Sequence, residues 1–242
     1  MAHIVSPRYE IKLHCEPHHL DQLHAWVRVH PDHWRVTYPA RQVNNLYFDT
    51  YDYKSLNDNL GGVSGRRKLR LRWYGPGLEA IAAAQLELKC KEGMVGWKET
   101  WLFDVSAEES RQELDLPHQS WSALRRAIQN ATDARAHLWM AWFSYPVLIN
   151  HYQRAYYATA DQTVRLTIDS KLHCYDQRFS THPNLRRPSP VADRVIVELK
   201  ADRRHYSRLV NLLARFPIRM DRYSKYVQGM LAAPDFSQVG AL

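Results

Sequence analysis

Charge and apolarity take turns along this chain residue by residue, and that alternation limits what it can fold into. Residues 66–74, RRKLRLRWY, set Lys68, Arg70 and Arg72 two apart with Leu69 and Leu71 between them. A period of two is that of a β-strand, whose side chains leave the backbone on opposite faces. The spacing predicts a strand with three cations in a row on one side. Neighbours in the row lie roughly 7 Å apart and repel by about 2 kcal/mol at an effective dielectric near 20. Such a row needs something to face.

Similar alternation recurs at 8–14, 43–49, 85–91, 96–105, 148–159, 163–176 and 194–200. Most of these runs are half apolar and half charged, and the charged halves are mainly basic. Three contain a carboxylate two residues before a lysine: Glu10-Ile-Lys12, Glu87-Leu-Lys89 and Glu198-Leu-Lys200. Two architectures satisfy the pattern. In one, the apolar faces form an ordinary core and the charged faces meet water. In the other, the sheet closes into a barrel with charged faces inside and helices over the apolar outside. Charges so enclosed are costly to desolvate without counter-ions, so the second arrangement itself implies a polyanion and metal ions.

Turn signals at Gly75-Pro76-Gly77, Glu92-Gly93 and Asp161-Gln162 separate several runs. Helical spacing is read at 17–30, 120–130, 133–145, 202–215 and 223–232, and Ser106 with Glu109 has capping-box spacing. The Pro- and Arg-rich stretch 181–193 reads as a mobile loop. With 242 residues, 45% of them hydrophobic, the chain can bury a sizeable core, and its net charge of +8 suits an anionic partner. Cys15, Cys90 and Cys174 are odd in number and far apart, which predicts reduced thiols without a disulfide framework or structural zinc. The apolar runs LWMAWF and AIAAA fall well short of the roughly 20 residues of a membrane span. The N-terminus lacks a signal-peptide layout, so the expected localisation is cytoplasmic.

LYFDT (46–50), RRKLRLRWYG (66–75), LELKCKEG followed by WKE (86–93, 97–99), VRLTID (164–169), VELK (197–200) and Ser224-Lys225-Tyr226 occur in an order that resembles the VTC domain. This is the polyphosphate polymerase domain of the vacuolar transporter chaperone, in the triphosphate tunnel metalloenzyme (CYTH-like) superfamily. The resemblance spans residues 6–232 as a single domain. It implies an α+β fold, an eight-stranded antiparallel β tunnel (barrel) with a basic interior packed by several helices, and so selects the second architecture. By motif it implies phosphate-binding roles for Lys12, Arg70, Arg72, Lys89, Lys98, Arg154, Arg165, Lys200 and Lys225, with Arg70, Arg72, Lys89, Arg165 and Lys200 also acting in catalysis. It makes Glu198 the ligand of a divalent metal, Mn2+ or Mg2+, with Glu87 and Glu10 as weaker candidates. Lys68 and Lys91 share the parity but read as tunnel-mouth or solvated lysines. Trp73, Tyr74, Trp97 and Trp101 read as packing between barrel and helices, and Trp139, Trp142, Phe143 and Tyr145 as core.

The resemblance implies a metal-dependent phosphoryl transferase that extends polyphosphate from ATP and releases ADP. Many tunnel hydrolases open with Glu-x-Glu-x-Lys; here Arg8 stands at the first carboxylate position. Water activation by a two-metal site relies on carboxylate-bound ions, whereas a phosphate acceptor is already an anion. The alternatives are a triphosphatase drawing on Glu87, Glu10 and Asp169, and a non-catalytic module binding polyphosphate or inositol phosphates. The expected partners are ATP and polyphosphate, not nucleic acid. A membrane-protein partner is compatible with the family, and oligomeric state is not legible.

Overall fold

The computed structural model describes residues 3–81, 83–104, 114–218 and 223–233. Its strands in chain order are β1 (His3–Cys15), β2 (Arg35–Asp49), β3 (Arg66–Tyr74), β4 (Ala80–Ile81), β5 (Ala83–Glu92), β6 (Val95–Asp104), β7 (Leu114–Asp115), β8 (Tyr145–Ala158), β9 (Val164–Asp176) and β10 (Val195–Asp202). The eight long ones close into an antiparallel barrel in the order β1-β10-β9-β8-β2-β3-β5-β6, and β4 pairs with β7 apart from it. Closure removes the exposed edges that strands of this length would otherwise present.

The charged faces point inward and the apolar faces outward, against helices. Helices α3 (Trp121–Asn130) and α4 (Ala134–Trp142) bury Leu124, Ile128, Ala136 and Met140 with Leu69, Leu71, Leu86, Leu88 and Trp101. On the other flank, α1 (Leu20–Val29) and α5 (Tyr206–Ala214) bring Leu23, Val27, Leu209 and Leu212 onto Leu13, Leu166, Val197 and Leu199. Asp133 caps α4 through the Ala136 amide and also accepts from Trp101 Nε1 at 2.9 Å, which fixes the helix to β6. Each outward leucine or valine so covered contributes about 1.5–3 kcal/mol relative to exposure.

Two helices lie at one end of the barrel. The first, α2 (Lys54–Leu60), is not announced by KSLNDNL, which is polar and lacks helical periodicity. Tertiary contact builds it: the buried Asp49 carboxylate accepts from the amides of Ser55 (2.8 Å) and Leu56 (3.2 Å). The second, α6 (Lys225–Leu231), is tied to the same carboxylate by the Tyr226 hydroxyl. It packs against Leu148, Cys174 and Ile196, residues on the lumen face of the barrel.

The structure corrects several local expectations. Strand β2 begins at Arg35, well before the alternating run at 43, because its first half pairs with β8 through register shifts around Pro39. In β9, Lys171 takes a left-handed φ of 56° beside another register shift, so the lumen face passes from Asp169 to Leu172. Trp142 and Tyr145, read as core, are 59% and 45% exposed. The 181–193 loop is stitched down by Asn184, whose amide N–H donates to Gln177 Oε1 (2.7 Å) and whose side chain donates to the Asp176 and Arg187 carbonyls. The Ser106–Glu109 capping pair lies outside the described residues. Among the described residues no helix is long and apolar enough to cross a membrane.

Candidate functional site: a polybasic lumen

The Glu-x-Lys motifs explain how like charges share one enclosed space. β1 and β10 are antiparallel, so Glu10 lies opposite Lys200 and Lys12 opposite Glu198: each carboxylate of one motif meets the lysine of the other. The third motif places Glu87 opposite Arg70 of β3. The same register sets Lys68, Lys89 and Lys98 side by side across β3, β5 and β6, a row of three ammonium groups.

Four carboxylates thread among the cations. Glu87, fully buried, accepts from Arg70 (2.6 and 2.7 Å) and Lys98 (2.5 Å), with Arg72 at 3.8 Å. Glu10 accepts from Lys89 at 2.8 Å and pairs with Lys12 at 3.2 Å. Lys12 also reaches Glu198 at 3.4 Å, and Glu198 accepts from Lys200 at 2.7 Å. Asp169 accepts a bidentate pair from Arg154 (2.5 and 2.6 Å) and Lys225 at 2.5 Å; Arg154 and Lys225 also lie 3.7 and 4.0 Å from Glu198.

Burial alone would raise these carboxyls. The cations overcome it and hold Glu10, Glu87, Glu198 and Asp169 below the ordinary carboxylate range. The lysines divide. Lys12 is held up because Glu198 and Glu10 together outweigh burial. Burial draws Lys89 down to about 7 against the pull of Glu10. Lys68 falls well below its usual value, first by burial and then by Lys12 and Lys89.

Of the residues singled out by motif, Lys12, Arg70, Arg72, Lys89, Lys98, Arg154, Lys200 and Lys225 line one cavity of about 840 Å3, partly open to solvent, together with Glu10 and Glu198. Glu87 lies behind Arg70 and Lys98 in the wall. Arg165 stands apart: it pairs in register with Lys200, but its side chain is exposed and outside the cavity lining. Lys68, read as a mouth or solvated residue, lines the cavity instead. Its ammonium donates to Ser224 Oγ at 3.2 Å and lies 4.9 Å from the Tyr226 ring, and no carboxylate among the described residues pairs with it.

Charge patterning missed the neutral groups that aim the arginines. Arg72 donates to Asn45 Oδ1 (2.9 Å) and the Tyr152 hydroxyl (3.2 Å), and Asn45 in turn donates to Asn150 (2.9 Å). Tyr47 accepts from Arg70 at 3.4 Å, and its ring meets that of Tyr226 at a tilt, with centroids 5.1 Å apart. The parity of β2 would have found Asn45 and Tyr47, but a search for charge does not.

No three His, Cys, Asp or Glu side chains among the described residues converge as a closed metal cage. Glu10 and Glu198 instead straddle the Lys12 ammonium. Carboxylate oxygens suit Mg2+ or Mn2+, and Mg2+ is commonly held by one or two carboxylates with substrate phosphates completing its shell. The donor set therefore fits a divalent ion shared with a phosphate ligand.

The VTC domain profile matches residues 7–233. The chain belongs to the VTC domain family. Among solved structures, this VTC domain is similar to HpAC1 from Hippeastrum, an adenylyl cyclase candidate with a dominant triphosphatase activity, at 16% identity and a TM-score of 0.52 over 97% of each chain. An adenylate cyclase candidate from Vibrio parahaemolyticus shares 12% identity and a TM-score of 0.50, over 91% of this chain and 97% of that one. At those identities the likeness is one of fold. No curated protein sequence matches this VTC domain.

Proposed function

We propose that residues 6–232 form one catalytic unit, a metal-dependent polyphosphate polymerase that passes the γ-phosphoryl group of ATP to the end of a polyphosphate chain. The observation that carries this reading is the setting of the carboxylates: each of the four is in ion-pair contact with at least two cations, which hold it below the ordinary carboxylate range. Carboxylates so engaged are poor general bases, and water needs one. A terminal phosphate needs none. Its anionic oxygen attacks the γ-phosphorus, the bond from that phosphorus to the β–γ bridging oxygen breaks, and ADP leaves with the electron pair.

Catalysis is then positioning and charge neutralisation. Arg70, Arg72 and Arg154, aimed by Glu87, Asn45, Tyr152 and Asp169, grip non-bridging oxygens bidentately. Lys12, Lys89, Lys98, Lys200 and Lys225 follow the chain as mobile point charges, and Arg165 draws it in from the rim. Glu198 and Glu10 would hold the divalent ion, Mn2+ or Mg2+, which neutralises phosphate charge when bound; Glu87 serves better as a positioning residue behind Arg70 and Lys98. Three buried, unpaired cysteines accord with a reducing, ATP-supplied compartment such as the cytoplasm.

A triphosphatase is the second reading, favoured by α6, which lies over one end of the lumen and suits a short chain. Incubation with ATP and manganese, following ADP, free phosphate and long-chain polyphosphate, decides between them. Polyphosphate formed with ADP, and lost in Glu198→Gln, is the expected result; free phosphate without polymer overturns it in favour of hydrolysis.

A further inference from the structure

At the end of the barrel away from α6 lies a cluster that phosphate binding alone leaves unused. The Arg41 guanidinium sits 3.9 Å from the centroid of the Tyr74 ring, 5.2 Å from Tyr156 and 5.5 Å from Tyr38. Its Nε donates to the Tyr156 hydroxyl at 3.3 Å, and Tyr38 meets Tyr156 edge-on at 5.6 Å. Register explains the gathering. Arg41 lies opposite Arg154 and Tyr38 opposite Tyr156. Tyr74 and Tyr156 each follow a lumen arginine, Arg72 and Arg154, by two residues. All four side chains therefore continue the lumen face outward to the mouth.

Three properties set this cluster apart from packing. Tyr38 and Tyr74 are 57% and 36% exposed, so large π faces remain in water. Arg41 has no carboxylate partner among the described residues; rings and one hydroxyl are its surroundings. The cluster is also continuous with the phosphate site, because the Tyr156 ring lies 6.0 Å from the Arg154 guanidinium and 5.2 Å from that of Arg41.

We propose that this mouth is a stacking platform for the base of a nucleoside triphosphate whose phosphates extend inward to Arg154 and Arg72. Tyrosine rings and a guanidinium plane are the groups on which bases stack, and such stacking favours any planar base. The uncompensated Arg41 adds attraction for the phosphate nearest the sugar. The proposal rests on the phosphate reading of the lumen and adds a handle that distinguishes the nucleotide donor from the polymer, which has no ring to offer.

Titration calorimetry with ATP and with inorganic tripolyphosphate, at one ionic strength, tests it. Tyr74→Ala and Tyr38→Ala are expected to raise the ratio of the ATP Kd to the tripolyphosphate Kd about fivefold or more, and Tyr74→Phe to restore it. An unchanged ratio overturns the platform while leaving the phosphate site standing. Wild-type protein that binds neither ligand overturns both readings. A short single-stranded oligonucleotide that binds more tightly than ATP overturns the mononucleotide in favour of a nucleic-acid strand.

Discussion

Lys68 shows how a single side chain can oppose folding and serve binding. Between its lowered folded pKa and its unfolded value, the unfolded chain binds more protons, so this group's contribution to stability rises with pH through that window. Near neutrality the lysine is a burden. Lys68→Met is expected to be more stable than wild type at pH 7, by roughly 2–4 °C in Tm for each kcal/mol relieved, with the gain shrinking towards pH 10. The same variant is expected to bind tripolyphosphate more weakly. Thermal unfolding at both pH values and one titration check the pair of effects, and a Lys68→Met protein less stable at pH 7 would sink the account. Sequence spacing put Lys68 on the right face, yet its depth depends on how Ser224 and Tyr226 of a distant segment close over it.

Among the elements, α6 carries the most consequence for its size. Its Lys225 supplies a cation to Asp169, its Tyr226 reaches Asp49, and its Gly229 lies where a Cβ would come 2.7 Å from Leu148 Cδ2 and 2.9 Å from Cys174 Sγ. Both neighbours are fully buried and have nowhere to retreat. Gly229→Ala is expected to cost about 1–3 kcal/mol, read by urea unfolding, and to reduce ATP turnover by displacing Lys225; full activity with unchanged stability would refute the tight seat. The strands were legible wherever one face was apolar, as in 66–74 and 85–91, because a period of two survives burial of either face. What the pattern could not choose was which face turned inward; the family resemblance chose, and the register of the Glu-x-Lys motifs supplies the physical reason. Helix α2 and the first half of β2 escaped because their order comes from Asp49 and from pairing around Pro39, neither of which leaves a periodic trace.

At the scale of the whole molecule, the barrel is an inverted globule, with most of its buried apolar side chains outside the sheet and its charge within. Such an interior is stabilised by whatever neutralises it. Tripolyphosphate at a hundred times its Kd is expected to add about 2.7 kcal/mol, or roughly 5–10 °C in Tm, and the shift should shrink as salt rises from about 0.05 to about 0.5 M. No shift at low salt would remove the lumen as a polyanion site. The Lys12 ammonium between Glu10 and Glu198 gives this a direction in time. At rest the barrel resembles an ion-exchange bead saturated with its own counter-ions. On the proposed reading, a phosphate chain would draw the lysine away and leave the two acids facing each other without that cation between them. Loading would then run anion first and divalent cation second, as in a lock whose second keyhole opens when the first key turns.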